Sequence, residues 1–310
     1  MARVFVTREL PGPALERLRA AHEVEVWPER LPPTPQQLRA HAADADALLT
    51  LLTDRIDAEL IEAAPRLRAI ANYAVGYDNI DLAAAGARGI RVGNTPDVLT
   101  DATADLTFAL LLAAARKLPQ AADAVRGGDW LTWEPGRYLG ADVHGATLGI
   151  IGMGRIGSAV ARRAEGFDMT VIHNGRVGGL PLAELLEQAD FVSLHCPLTP
   201  QTHHLIDAAA LTRMRSSAIL INTSRGPVVD QTALRQVLID GTIAGAALDV
   251  TDPEPLPNDD PLFDAPNLIV VPHIGSDTGT ARERMAEIAV ENLLAALAGQ
   301  PMPHPVGTGV

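Results

Sequence analysis

Residues 147–160 read TLGIIGMGRIGSAV and are the most informative segment of the chain. Five mostly apolar residues, typical of a buried strand, lead into Gly152, and a helical pattern starts after Gly154. With Gly157 these glycines match G-x-G-x-x-G, in which the first allows a tight turn and the second lets a pyrophosphate approach the backbone. The third lets the helix pack closely on the strand, and the helix N-terminus offers free N–H groups. Since a second strand is expected at 170–173, the segment predicts a dinucleotide-binding strand–turn–helix unit.

Apolar segments alternate with helical patterns on both sides of this unit. Strands apolar on both faces and separated by helices are typical of parallel sheets. We therefore predict an α/β protein with two Rossmann-like domains, each a doubly wound parallel sheet. The predicted strands are 4–7, 47–52, 69–74 and 90–92 in a first series, then 147–151, 170–173, 191–195, 218–222, 245–250 and 268–272 in a second. The predicted helices are 12–21, 100–118, 156–166, 182–189, 231–241 and 278–299.

The two series of strands predict two domains. The boundary is placed after Asn94-Thr95-Pro96, before the long apolar helical pattern at 100–118. Residues 1–98 and 277–310 are assigned to a substrate (catalytic) domain, to which the C-terminal helix would return. Residues 99–276 are assigned to the dinucleotide-binding domain. The Pro- and Gly-rich tail 301–310 is predicted to be disordered or loosely docked.

Composition excludes several classes of protein. A net charge of −13 over 310 residues argues against nucleic acid or an anionic membrane as a partner. Cys196 is the only cysteine, so internal disulfides are excluded and a reducing cytoplasm is expected. His195, His203 and His204 lack metal-ligand spacing, so no metal is predicted. Lys117, the sole lysine, lies outside any phosphate-loop pattern, and there is no G-x-S-x-G hydrolase motif.

The end of the second strand bears on the choice of cofactor. NAD sites place an acid there for the ribose 2′-hydroxyl, whereas NADP sites remove it and offer arginine to the 2′-phosphate. This chain reads His173-Asn174-Gly175-Arg176, with no acid before Glu184. The alternative is that Arg176 is an ordinary solvated loop residue. We predict NADP(H) as the favoured cofactor, with NAD(H) left open.

Three further residues follow predicted strands of the second series. Arg225 can grip a carboxylate with two hydrogen bonds and polarise the adjacent carbonyl. His273 can deliver a proton near neutral pH, and a nearby Glu254 would favour its charged form. Taken singly, they could be a surface charge, a turn residue and a core histidine. Together, at strand ends after a dinucleotide loop, they predict hydride and proton chemistry in one crevice.

An ordered set of motifs along the whole chain resembles the D-isomer-specific 2-hydroxyacid dehydrogenase family, in its glyoxylate/hydroxypyruvate reductase type. The resemblance implies a cleft between the two domains as the active site, and a small 2-keto or 2-hydroxy acid as substrate. The motifs are 72–81 (NYAVGYDNID), 94–96 (NTP), 100–105 (TDATAD), 152–157 (GMGRIG), 195–200 (HCPLTP), 222–226 (NTSRG), 252–255 (DPEP) and 273–276 (HIGS).

The resemblance also implies a role for individual residues. Arg225, Glu254 and His273 would be catalytic, with His273 as the acid/base and Glu254 as its partner. Val75 and Gly76 would offer backbone N–H groups to the substrate carboxylate, beside Arg225 and His273, and Asp249 would hold the nicotinamide carboxamide. The expected cofactor-binding set is Thr103, Gly152, Gly154, Arg155, Ile156, Gly157, Asn174, Gly175, Arg176, Cys196, Pro197, Thr202, Thr223, Ser224, Arg225, Asp249, His273 and Gly275.

The chain departs from its relatives directly after Arg176. Relatives usually carry a further short strand region there, whereas this chain passes through residues 177–181 straight into the helix at 182–189. The wall around an adenosine phosphate is therefore shorter. Alternative functions are another D-2-hydroxyacid dehydrogenase, of the D-lactate or phosphoglycerate type, or a nucleotide-sensing, corepressor-like binding protein. The intact set of three catalytic residues favours an enzyme.

A homodimer is predicted on two grounds. The helix at 100–118 carries apolar residues on more than one face, among them Leu106, Phe108 and Leu112. The segment containing Trp130 and Trp133 resembles an arm that crosses a dimer, although simple packing is an equal alternative.

Overall fold

The computed structural model describes residues 1–307. Its strands are β1 (Arg3–Val6), β2 (Glu23–Val26), β3 (Ala47–Thr50), β4 (Ala69–Asn72), β5 (Arg91–Gly93), β6 (Thr147–Ile151), β7 (Thr170–Asn174), β8 (Phe191–Leu194), β9 (Ile219–Asn222), β10 (Gly245–Leu248) and β11 (Leu268–Val270). Its helices are α1 (Ala14–Ala21), α2 (Pro35–Ala43), α3 (Ala58–Ala63), α4 (Leu82–Ala87), α5 (Thr100–Ala115), α6 (Leu118–Arg126), α7 (Arg155–Glu165), α8 (Leu182–Gln188), α9 (Ala208–Arg213), α10 (Gln231–Ile239) and α11 (Gly279–Leu297).

The chain divides into two compact units. One comprises Met1–Leu99 together with the chain from Asp277 onward, and the other comprises Thr100–Ser276. The assignment of one unit to the substrate and of the other to the cofactor stays a prediction. Each unit is built on a parallel sheet flanked by helices, so the predicted α/β class with two doubly wound sheets is confirmed.

The first unit contains a five-stranded sheet in the order β2-β1-β3-β4-β5. Phe5, Leu48 and Ile70 share one buried cluster on this sheet, and α11 packs against α1, β3 and β4. Strand β2 was missed from the sequence because its Glu–Val alternation suits an edge strand with one solvated face. Its Glu25 pairs with Arg3 of the neighbouring strand at 3.1 Å.

The C-terminal segment docks on β5, which is the edge strand of this sheet. The Val306 N–H donates to the Val92 carbonyl at 2.8 Å, and the Asn94 N–H donates to the His304 carbonyl at 3.2 Å. Met302 is buried to 5% exposure. The prediction of a disordered or loose tail is therefore wrong for residues 301–307, because the unpaired groups of an edge strand give them hydrogen-bond partners. Residues 308–310 lie outside the described part of the chain.

The second unit contains a six-stranded sheet in the order β11-β10-β9-β8-β6-β7. Helices α5 and α7 contribute to the buried cluster on one face, and α8, α9 and α10 to the cluster on the other. Strand β6 pairs with β7 on one side and with β8 on the other. From β6 the chain continues to β7 on one side, and from β8 it continues to β9 on the other side. The gap between β6 and β8 is therefore the topological switch point, and open α/β sheets bind ligands there, beyond the carboxyl ends of the strands.

The predicted long helix at 100–118 is two helices in the structure. Lys117 adopts a left-handed conformation with φ of 51°, which ends α5 before α6 begins. Phe108, Leu110 and Leu111 are buried within the second unit. These three are covered by helices and strands of their own unit, whereas Leu106 and Leu112 are only partly buried against the same cluster. The burial of part of α5 in a dimer stays a prediction. By contrast, none of the residues of α6 is buried. Among residues 1–307, no helix is long and apolar enough to cross a membrane.

Candidate active site

The turn between β6 and α7 has the geometry that its three glycines predict. Gly152 has φ of 97°, and a Cβ there would lie 2.7 Å from the Cys196 backbone nitrogen. A Cβ on Gly157 would lie 2.2 Å from the Gly152 carbonyl oxygen, so this glycine allows helix and turn to touch. At Gly154 nothing lies within 4 Å of a Cβ, and no side chain caps α7. The turn therefore has open space beside uncapped helix N–H groups, which fits a pyrophosphate.

The loop after β7 is a tight turn closed by hydrogen bonds. The Asn174 side chain donates to the Leu180 carbonyl at 2.8 Å, and the Leu180 N–H donates to the His173 carbonyl at 2.8 Å. The Asn174 carbonyl accepts from the Gly152 N–H at 2.8 Å, which ties this loop to the glycine turn. Gly175 and Arg176 are exposed at its tip. The loop thus presents an arginine and no carboxylate beside the glycine turn.

The segment after β8 supplies His195, Cys196, Pro197 and Thr202. Burial lowers the pKa of His195 to about 3, so the ring is neutral, and its Nε2 lies 2.8 Å from the Ser193 hydroxyl. Burial raises the pKa of the Cys196 thiol to about 11. The Thr202 hydroxyl donates to the Pro197 carbonyl at 2.6 Å and so holds the loop in shape.

No metal site is found near these residues in the part of the chain that the structure describes. His203 and His204 stack on each other with 4.1 Å between ring centres. Across residues 1–307, no group of three His, Cys, Asp or Glu side chains is arranged to hold a metal ion.

Asn222, the last residue of β9, organises the loop that carries Arg225. Its buried side-chain oxygen accepts from the Ser224 N–H at 3.0 Å and from the Ser224 hydroxyl at 2.8 Å. Its Nδ2 donates to the Arg225 carbonyl at 2.9 Å. The Thr223 hydroxyl lies 3.0 Å from that of Thr107 on α5. Every residue of this loop is therefore fixed by a hydrogen bond before any ligand binds.

Gly226 brings this loop into contact with the loop that leads to Glu254. A Cβ on Gly226 would lie only 1.9 Å from the Thr251 carbonyl oxygen, so any side chain would push the two loops apart. Gln231, at the start of α10, reinforces the approach. Its side-chain oxygen accepts from the Asp252 N–H at 2.8 Å, and its Nε2 donates to the Asp252 carbonyl at 2.5 Å.

Asp249, directly after β10, holds the segment that follows His273. Its two carboxylate oxygens accept the N–H groups of Ile274 at 2.7 Å and Gly275 at 2.8 Å. Burial raises the pKa of Asp249, although these hydrogen bonds oppose that rise. The Gly275 carbonyl in turn accepts from the hydroxyl of Thr103, a buried residue of α5, at 3.0 Å. The observed contacts of Asp249 are thus with the protein, and its contact with a nicotinamide carboxamide stays a prediction.

His273 and Glu254 form the predicted pair. The His273 Nδ1 and the Glu254 Oε1 are hydrogen-bonded, and both side chains are partly exposed. His273 has φ of 54°, a conformation that non-glycine residues rarely adopt outside turns and functional sites. Its N–H donates to the Asp249 carbonyl at 2.9 Å, which holds it there. Because Glu254 engages Nδ1, Nε2 is the ring nitrogen that can exchange a proton with a substrate.

The structure thus places most of the predicted residues at the carboxyl ends of the strands of the second sheet. Val75 and Gly76 lie in the first unit, in the loop after β4. Three residues that hold Arg225 and the loop to Glu254 in place were not predicted as site residues: Asn222, Gly226 and Gln231. Asn222 and Gly226 lie within the motif 222–226, but no role was assigned to them. Besides this motif, a polar residue that ends an apolar strand, as Asn222 does, is a signal that could have pointed to a positioning role.

Comparisons with known proteins identify relatives of this chain. The model of the family described as "D-isomer specific 2-hydroxyacid dehydrogenase, NAD binding domain" matches residues 108–275. A glyoxylate reductase of Korarchaeum cryptofilum is 50% identical, with 99% of this chain and 96% of the relative covered. The crystal structure of the TT0316 protein from Thermus thermophilus superposes with a TM-score of 0.93 at 52% identity, over 98% of this chain and 100% of that chain.

A fourth match is the NADPH-dependent glyoxylate/hydroxypyruvate reductase of Sinorhizobium meliloti, solved with NADP and malonate. It superposes with a TM-score of 0.87 at 34% identity, over 99% of this chain and 97% of that chain. Named reductases therefore match nearly the whole length, which supports an enzyme over a corepressor-like binding protein. This chain belongs to the D-isomer-specific 2-hydroxyacid dehydrogenase family, and it is a nicotinamide-dependent oxidoreductase acting on small 2-hydroxy or 2-keto acids.

Proposed function

We propose that this protein reduces glyoxylate and hydroxypyruvate with NADPH as the favoured cofactor. The observation that carries the proposal is the hydrogen-bonded His273–Glu254 pair, in the same unit as the glycine turn and as Arg225. The likeness to named glyoxylate reductases supports the choice of substrate. A small 2-keto acid presents one carboxylate and one adjacent carbonyl, which an arginine and a protonated histidine can bind and polarise together.

His273 is the proposed proton donor in reduction. A reduced nicotinamide dinucleotide with its pyrophosphate at the glycine turn would supply the hydride. Arg225 binds the keto acid and draws electron density toward the carbonyl oxygen, while His273 Nε2 delivers the proton to that oxygen. Glu254 accepts from Nδ1, fixes the plane of the ring and compensates its positive charge. The N–H groups of Val75 and Gly76 are proposed to bind the substrate carboxylate.

The preference for NADPH is proposed from the loop after β7. Among residues 174–180 there is no acidic side chain, and Arg176 is exposed at the tip. An arginine beside the expected ribose position attracts a 2′-phosphate, whereas an aspartate there would repel it. A Cβ on Gly175 would come no closer than 3.9 Å to the Met153 backbone nitrogen, so the loop leaves room beside the turn.

A two-fold homodimer is proposed as the working form. Trp130 and Trp133 are 68% and 79% exposed, and Leu118 and Val125 of α6 are each more than half exposed. These four exposed apolar side chains fall within residues 118–133, and exposed apolar surface of this kind is typical of an interface. Since homodimers with two-fold symmetry are the commonest assemblies, a second copy of this chain is the proposed partner.

A substrate panel tests the proposed function. The loss of NADPH absorbance is followed with glyoxylate, hydroxypyruvate and pyruvate, and each assay is repeated with NADH. We expect the highest kcat/KM for glyoxylate or hydroxypyruvate with NADPH. A clear preference for pyruvate would assign a D-lactate type of enzyme instead, and a clear preference for NADH would overturn the role of Arg176.

A further inference from the structure

In the loop after β4, the directions of the Val75 and Gly76 N–H groups are set by hydrogen bonds to the carbonyl oxygens of the same two peptides. The peptide bonds on both sides of Val75 are trans. In a trans peptide the carbonyl of one residue and the N–H of the next point in opposite directions. A hydrogen bond that holds the Ala74 carbonyl therefore aims the Val75 N–H, and one that holds the Val75 carbonyl aims the Gly76 N–H.

Both carbonyls are held by the segment directly after β5. The Thr95 backbone N–H donates to the Ala74 carbonyl at 2.9 Å. The Asn94 side-chain Nδ2 donates to the Val75 carbonyl at 2.7 Å. Within residues 1–307 neither the Val75 N–H nor the Gly76 N–H has a hydrogen-bond acceptor in the protein. The Val75 and Gly76 N–H groups therefore point away from the segment after β5 and stay available to a ligand.

Asn94 is itself fixed at both of its backbone groups. Its N–H donates to the His304 carbonyl at 3.2 Å, and its carbonyl accepts from Asn292 Nδ2 at 2.9 Å. Asn292 is fully buried in α11, and its side-chain oxygen accepts the His304 N–H at 2.9 Å. The docked C-terminal segment and α11 therefore fix Asn94, and Asn94 in turn fixes the loop after β4.

The other end of the loop is restrained by Asn72, the last residue of β4. Its Nδ2 donates to the Gly76 carbonyl at 2.8 Å, and its Oδ1 accepts from the Thr50 hydroxyl at 3.0 Å. With the Val75 and Gly76 carbonyls both held by side-chain amides, the peptides cannot rotate without breaking a hydrogen bond. Such rigid orientation of donors is what makes a backbone anion site effective.

We propose that Asn94 is a positioning residue for substrate recognition: by holding the Val75 carbonyl it aims the Gly76 N–H at the carboxylate of the 2-keto acid. This inference rests on the proposed binding of that carboxylate by Val75 and Gly76. It assigns no contact between Asn94 and the substrate. Its consequence is that removing the Asn94 amide weakens carboxylate binding and leaves cofactor binding unchanged.

The test compares two substitutions with a structural control. Asn94→Ala removes the donor, and Asn94→Leu removes it while filling a similar volume. The control is Asp46→Asn, because Asp46 is buried at the amino end of β3, the central strand of the same sheet, whereas Asn94 follows the carboxyl end of β5. Asp46 accepts from the Arg3 N–H and from Arg66. For each variant we measure KM for glyoxylate, the Kd of oxamate for the enzyme–NADPH complex, the Kd of NADPH and Tm. Oxamate carries the same carboxylate but no reducible ketone.

For the Asn94 variants we expect KM and the oxamate Kd to rise roughly 10- to 100-fold, as when a hydrogen bond to a charged group is lost. The Kd of NADPH should stay within about twofold of wild type. In Asp46→Asn, Tm should fall while KM stays unchanged. The inference is overturned if both Asn94 variants keep the wild-type oxamate Kd, or if the oxamate and NADPH affinities fall together. Because oxamate binding is measured directly, the outcome is separate from whether glyoxylate proves to be the substrate.

Discussion

Replacing Gly226 with alanine should lower kcat/KM strongly, although the substitution leaves Arg225, Glu254 and His273 themselves unchanged. The added Cβ would lie 1.9 Å from the oxygen and 2.1 Å from the carbon of the Thr251 carbonyl. Non-bonded carbon and oxygen atoms do not approach within about 3 Å, so the two loops must separate by about 1 Å. Arg225 precedes Gly226 directly, and Glu254 lies three residues after Thr251. The substitution therefore moves the substrate-binding arginine relative to the histidine–glutamate pair.

A displacement of about 1 Å can cost about 10²-fold in rate, which corresponds to about 3 kcal/mol in the activation barrier. The assay is kcat/KM for glyoxylate reduction, together with the Kd of NADPH from its fluorescence. Gly166→Ala is the matched control, since it lies in the same unit and its Cβ would meet only the Arg163 carbonyl at 3.5 Å. Turnover of Gly226→Ala within threefold of wild type would refute the reasoning. An equal loss of NADPH binding would show that the fold, and not the loop geometry, had failed.

Four further outcomes are expected. His273→Ala should lower kcat by about 10²–10⁴-fold with the NADPH Kd nearly unchanged, and near-normal turnover would require another proton donor. Gly175→Asp should lower the ratio of kcat/KM for NADPH to that for NADH by at least about tenfold, and an unchanged ratio would separate this loop from the 2′-phosphate. His195 stays neutral in the folded protein, with a pKa of about 3 against an ordinary value of 6.5, so the unfolded chain binds the extra proton between these values. Folding stability should therefore fall as pH drops below about 6.5, by up to about 2 kcal/mol at pH 5, and His195→Gln should flatten this fall in urea titrations at pH 7, 6 and 5. The double variant Trp130→Ser, Trp133→Ser should shift the mass in light scattering from dimer toward monomer, whereas a wild type that is monomeric at micromolar concentration would contradict the proposed assembly.

Several features were readable from short stretches of chain because local chemistry sets them. The glycine turn at 152–157 needs φ and contact properties that only glycine offers, and these are encoded within six residues. That no acidic residue follows β7 can likewise be read directly from residues 174–180. The apolar segments and helical patterns predicted the parallel sheets, and Arg225, Glu254 and His273 stood out because each follows a strand.

The contacts that hold these residues in place became visible only in the folded chain. The approach of Gly226 to Thr251, and the grip of Gln231 on Asp252, join segments whose relative position is set by strand order. The Asn94 bond to the Val75 carbonyl depends on β4 and β5 being neighbours, and on a C-terminal segment that composition alone suggested was loose. Periodicity and local propensity report on residues a few positions apart, whereas these hydrogen bonds join residues up to about two hundred positions apart, so packing of the whole unit decides them.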